Sequence, residues 1–225
     1  MKRHLLVPLL AALVGCGSSE SPPPPTSDQV PLDQLTLHVS VRSNGEAALV
    51  MVNLSSPQNS LVYLGEGDRL IARAGAASAE LVSFGYQRGV LLSTGATTLD
   101  VVLERGAARG VAHVTLPPAF GLDGPTELPR RSPLTVRWGP IDPVGKAPGL
   151  RVESECVSAV VRVPSTDSGS YTFDPADFIL RTSGPCIAML TATRTDPSLK
   201  PSFEGLAGAQ GSGSQVRTLT FRMNP

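Results

Sequence analysis

Leu35, Leu37, Val39 and Val41 alternate with Thr36, His38, Ser40 and Arg42, a period-two pattern that predicts a strand with one buried and one wetted face. S-N-G-E at 43–46 is a hairpin signal, and the apolar run 47–54 behind it predicts a second strand buried on both sides. Short apolar segments at 61–64, 69–73, 80–84, 98–104 and 110–116 continue the series. In the fourth of them Leu99, Val101 and Leu103 face one way and Asp100 and Glu104 the other. A proline-containing stretch at 121–131 has no continuous apolar stripe and predicts a junction. Beyond it, strands are predicted at 134–138, 150–157, 159–163, 171–173, 186–195 and 216–223, with the Gly/Ser stretch 205–214 as a flexible hairpin loop. No helical stripe of useful length occurs. The pattern predicts an all-β fold with two tandem β-sandwich domains, 32–120 and 132–225, joined by the linker 121–131; a single β-domain of about 190 residues is the alternative.

Composition strengthens the all-β reading. The chain has 225 residues with 22 glycines and 21 prolines, roughly a fifth of the chain against a usual share of about an eighth, which favours turns over long helices. Lys and Arg total 19 and so do Asp and Glu; without Lys2 and Arg3, which lie in a segment expected to be removed, 17 basic side chains face 19 acidic ones, a net charge of −2. Apart from the first few residues, the adjacent basic pair is Arg130 with Arg131 in the junction, so a nucleic-acid partner is not expected.

The amino terminus carries its own signal. Lys2 and Arg3 precede an apolar run from Leu5 to Val14, about half the roughly 20 residues a spanning helix needs, so a secretory signal over 1–15 fits and a transmembrane helix does not. Leu13, Val14, Gly15 and Cys16 resemble the lipobox of bacterial lipoproteins. The resemblance implies that Cys16 is the first mature residue, that its thiol carries a diacylglyceryl group and its amino group is acylated, and that the membrane is a partner through this lipid. The absence of Asp after Cys16 implies, by the same resemblance, the outer membrane. An ordinary signal peptide with a chance Cys is the alternative. Residues 16–31 are polar and proline-rich and are expected to be a flexible tether, reaching up to roughly 45 Å in polyproline II; a docking peptide at Pro22–Pro25 is the rival reading.

Both halves resemble the immunoglobulin-like or fibronectin-like modules found behind a lipobox in many bacterial lipoproteins. The resemblance rests on Trp138 in an early strand, D-S-G-S-Y-T-F at 167–173, T-L-D-V-V-L-E-R-G from Thr98, and T-L-P-P-A-F ending at Phe120. An antibody-type domain is not implied, because Phe173 stands where a Cys would follow the Tyr of a tyrosine corner.

With Cys16 assigned to lipid, Cys156 and Cys186 remain, and export makes their pairing the default. Strand phase agrees: Leu150, Val152, Ser154 and Cys156 share one face, and Cys186 shares one with Ala188, Leu190 and Ala192. Two buried free thiols are the alternative. For catalysis the inventory is thin. The mature chain has His38 and His113, both expected on outward strand faces, and it lacks G-x-S-x-G, H-E-x-x-H, G-x-x-x-x-G-K and C-x-x-C motifs. Asp167, Asp174, Asp177 and Glu155 are a weak calcium candidate, with turn formation the competing role. No catalytic residue, metal or cofactor is therefore assigned. The expected function is a non-enzymatic, lipid-anchored envelope protein acting as spacer or protein-interaction module, with an envelope protein or glycan as partner. Carbohydrate binding is the alternative, for which Trp138, Tyr63, Tyr86 and Tyr171 are the aromatic candidates.

Overall fold

The computed structural model describes residues 23–84, 86–142 and 146–225, so the expected signal segment and Cys16 lie outside the described residues. The strands of the first half are β1 (Thr36–Ser43), β2 (Ala47–Ser56), β3 (Asn59–Val62), β4 (Asp68–Ala74), β5 (Ala77–Glu80), β6 (Val82–Phe84), β7 (Gln87–Ser93), β8 (Thr98–Arg105) and β9 (Ala108–Thr115). They are followed by β10 (Gly121–Asp123), β11 (Glu127–Pro129), β12 (Leu134–Gly139), β13 (Gly149–Ser154), β14 (Val160–Arg162), β15 (Ser170–Phe173), β16 (Cys186–Thr195), β17 (Ser202–Glu204) and β18 (Gly208–Asn224). The only helical pieces among the described residues are three 3-10 turns, at Ser27–Gln29, Leu32–Gln34 and Pro175–Asp177. The fold is all-β, and none of the described helices is long and apolar enough to cross a membrane.

One sheet runs through the whole molecule. Its ten strands follow the order β14-β13-β16-β18-β1-β2-β7-β6, with β11 added on β18 and β3 on β2. A five-stranded sheet, β17-β9-β8-β4-β5, covers its first half, and a three-stranded sheet, β10-β12-β15, covers its second. Two apolar cores lie between these layers, as in β-sandwiches. The first gathers Val39, Val50 and Val52 from the large sheet against Leu70, Leu99 and Leu103; the second gathers Leu150, Leu190 and Phe221 against Val136, Trp138 and Phe173.

Local patterning is realised closely in β1, where Leu37, Val39 and Val41 are buried, and in β8, where Leu99, Val101 and Leu103 are buried. The 43–46 hairpin forms as expected: Gly45 takes φ +95°, and Asn44 Oδ1 accepts the N–H groups of Glu46 and Ala47 at 2.9 and 2.8 Å. β2 departs from its expectation. Ala48, Val50, Val52 and Leu54 are buried, but Leu49 is 39% exposed and Met51 half-buried, because no second layer covers the outer face of the large sheet here. The run is apolar on both sides yet buried on one.

The larger departure is at the carboxyl end. The stretch 205–214, expected as a flexible hairpin loop, contains the start of the 17-residue strand β18. Gly208–Gln215 pair in parallel with Thr36–Ser43 of β1, while Ser214–Met223 pair antiparallel with Cys186–Thr195 of β16. One strand therefore belongs to both sandwiches. Just before it, Ser202–Glu204 pairs with β9, and Leu206 enters the first core. Glycine and serine here meet a close backbone approach instead of a turn: Gly211 has φ +138°, and a Cβ on it would overlap the carbonyl of Val39. The expected linker 121–131 is likewise built in, since β10 pairs with β12 and β11 pairs with β18, burying Phe120 and Leu128 in the second core.

The tether expectation for 16–31 also changes at its carboxyl end. Tyr63 N–H donates to Pro25 O at 2.9 Å, Ser27 N–H donates to Tyr63 O at 2.6 Å, and Val30 joins the first core. The anchoring is mostly polar, a kind of contact that apolar patterning along the chain does not register. Gly211→Ala should lower stability by at least ~2 kcal/mol through backbone strain and overlap. Gly208→Ala on the same strand, where a Cβ meets only the Thr36 side chain at 3.5 Å, should stay within ~1 kcal/mol of wild type. Urea unfolding of the two variants measures the contrast.

Candidate functional site

The candidate residues fall into three groups: the cysteine bridge, the acidic and histidine side chains, and the aromatic residues. Register places the bridge. Ser154 of β13 stands opposite Ala188 of β16, so the next same-face positions outward are Cys156 and Cys186. Their sulfurs are joined, with Cα atoms 6.1 Å apart, inside the usual range for a disulfide. Cys156 is fully buried and the bridge closes the end of the second core.

The four acidic residues considered for calcium do not converge. Asp174 caps the 175–177 turn by accepting Ala176 N–H at 2.9 Å, and Asp177 pairs with Arg162. Asp167 is buried and receives four donors: Trp138 Nε1 at 2.6 Å, Asp142 N–H at 2.8 Å, Gly169 N–H at 3.3 Å and Arg194 Nη2 at 2.9 Å. Among the described residues no cluster of three or more Asp, Glu, His or Cys side chains could hold a metal ion. Asp167, Asp174 and Asp177 are occupied by turn N–H groups and arginines, the turn-forming role weighed against calcium, and Glu155 stands exposed apart from them.

Asp167 forms an ion pair that spacing along the chain had not revealed. Arg194 of β16 and Asp167 are 2% and 1% exposed at their side chains. Arg194 Nη2 also donates to Pro140 O at 3.1 Å, and its Cζ lies 4.8 Å from the centre of the Phe120 ring, which Arg217 approaches to 5.2 Å. The pair therefore ties the junction after Pro118, the loop after β12 and the loop before β15 to the large sheet. A second pair does the same for the amino-terminal segment. Arg105 Nη2 meets Asp68 at 2.8 Å, Ser27 Oγ donates to Asp68 Oδ2 at 2.6 Å, and Arg105 Nη1 donates to Val30 O at 2.8 Å.

Burial raises each of these carboxyls, but the donors outweigh it. Arg105 and Ser27 hold Asp68 below the ordinary 3.8, and the Asp142, Trp138 and Gly169 N–H groups with Arg194 do so for Asp167. His113 Nδ1 stands 2.8 Å from Asp100 on the neighbouring strand, and His38 Nε2 stands 2.7 Å from Ser55 Oγ. Neither histidine adjoins a thiol, so no cysteine–histidine pair forms among the described residues.

Of the aromatic candidates, Trp138 is buried in the second core and Tyr171 packs edge-on against Phe173 with ring centres 4.9 Å apart. Tyr63 and Tyr86 are exposed. Tyr86 lies beside the uncovered outer face of the large sheet. There Leu49 is opposite Leu91, and Met51 and Phe84 side chains close over Gly89.

No family model matches the chain, and no curated protein matches it. Solved structures do. One, from a study of host cell surface retention of a 1.5-MDa bacterial ice-binding adhesin, shares 11% identity over 86% of this chain with a TM-score of 0.26. The chain spans 65% of that adhesin chain's length. Another, a segment of two fibronectin type III domains from chicken tenascin, shares 12% identity over 83% of this chain and 97% of that one, with a TM-score of 0.24. At such overlap neither carries an argument about this chain.

Two outcomes follow from the buried groups. Because the folded carboxyl values lie below the unfolded value near 3.8, the stability they supply is present above about pH 4 and lost as pH falls through the folded values. Asp167→Asn should cost ~3–5 kcal/mol at pH 7 by leaving Arg194 buried and unpaired, and should flatten the acid limb of urea midpoints measured from pH 7 to pH 2. Cys156→Ala with Cys186→Ala should cost ~2–5 kcal/mol, and a non-reduced digest should yield the two cysteine peptides as one linked species.

Proposed function

We propose that this chain is a non-enzymatic, lipid-anchored protein of the bacterial cell envelope, a β-sandwich spacer that presents the outer face of its large sheet to a partner. The observation that carries this reading is β18, a single strand hydrogen-bonded into both sandwiches. Modules joined by a bare linker reorient freely, whereas a shared strand transmits one orientation from the amino-terminal segment to the far end. That is the property a spacer needs.

Support for the anchor comes from the lipobox-like Leu13–Cys16. Two or more acyl chains hold stably where one is marginal, at about 0.8 kcal/mol per buried CH₂. Among the described residues Pro25 already packs against the body, which leaves no more than residues 17–24 between anchor and body, ~25 Å at the polyproline rise. The face is thereby held near the bilayer, and the lipobox resemblance, with no Asp after Cys16, supports the outer membrane. Full-length protein should fractionate with membranes and incorporate a palmitate analogue. Cys16→Ser should be soluble or accumulate as precursor. An intact mass showing mature protein with an unmodified Cys16 overturns the reading.

A further inference from the structure

On the outer face of the large sheet, β2 changes neighbours part-way along. β7 pairs with it from Ala47 to Val52, and β3 pairs with it from Leu54 onward, with a bulge between Leu54 and Ser56. Asn53 falls between the two ladders. On its other side it stands opposite His38 of β1. The strand ends leave a depression of about 430 Å³ lined by His38, Asn53, Ser60, Leu61 and Tyr86, within the roughly 300–1,000 Å³ range of small-ligand sites.

Three properties of this gap point to one chemistry. Asn53 Oδ1 is buried and has no hydrogen-bond partner among the described residues, and a buried acceptor left unpaired is costly unless something donates to it. Tyr86 leaves 61% of its surface open, an exposed ring of the kind that receives the apolar face of a ligand. Among the described residues no Lys, Arg, Asp or Glu lines the depression, so no fixed charge there favours a charged group. Ser55 Oγ, 2.7 Å from His38 Nε2, holds the imidazole in place, and Ser60 adds a hydroxyl at the rim.

We infer that this gap is a binding subsite for one ring of a neutral carbohydrate. The C–H face of a pyranose stacks on Tyr86, and a turn of the half-buried Asn53 side chain brings its Oδ1 from beneath the surface to accept from one ring hydroxyl. Others exchange hydrogen bonds with His38 and Ser60. The inference does not depend on the lipid anchor, and Cys16→Ser should bind as wild type does.

Saturation-transfer NMR and calorimetry on the full-length chain, with maltoheptaose and chitohexaose as probes, test it. Saturable binding of at least one probe is expected. Tyr86→Ala should weaken that binding at least about tenfold with an unchanged melting temperature, and Ser60→Arg, which fills the depression from an exposed rim position, should abolish it. Absence of saturable binding by both probes overturns the proposal. So does binding that survives Ser60→Arg, or tighter binding of an anionic oligosaccharide such as heparin hexasaccharide, or of an unrelated peptide.

Discussion

The hydrogen-bond ladder of β18 is the constraint on which the rest of this molecule depends. Its first eight residues run parallel to β1 and its later residues run antiparallel to β16, so one extended backbone fixes the twist and register of both sandwiches. Such a strand must pass close to β1, and small residues allow it: Gly211 and Gly213 abut the Val39 carbonyl and the Leu116 side chain where larger residues would collide. Fold and composition meet at this point. The Gly/Ser-rich stretch is the price of bringing two cores onto one sheet.

Around this spine, two buried ion pairs arrange segments that carry little apolar surface. Arg105 with Asp68 gathers the chain at Ser27 and Val30, and Arg194 with Asp167 gathers Pro118, Pro140 and the Trp138 indole. A buried charge pair is weak evidence of stability in itself, because desolvation offsets much of the attraction. Its effect here is on geometry. Arg194 spreads donors over carbonyls of two loops and Arg105 over two carbonyls of the amino-terminal segment, which fixes where those stretches lie relative to the sheet.

This arrangement leaves one face of the large sheet uncovered. In its first half that face carries an apolar row, Leu49 with Leu91 and Met51 with Phe84, beside the polar depression at Asn53. A rigid body offers both to the same surroundings, which links the spacer reading to the carbohydrate subsite without making either depend on the other.

The sequence by itself determined what nearest neighbours decide. Alternation in β1 and β8, the Asn44–Gly45 turn and the common face of Cys156 and Cys186 follow from the pleat, from backbone sterics and from strand phase, all of which act over a few residues. Tertiary structure alone decided that 208–215 would be a strand, that Leu49 would face outward, that Asp167 would meet Arg194 and that Asn53 would stand at a change of partner. Those outcomes depend on which distant segment arrives alongside. Glycine tolerates both a turn and a close approach, an aspartate serves equally in a turn or an ion pair, and an apolar residue reads alike on a covered or an open face. Only long-range pairing chooses between them.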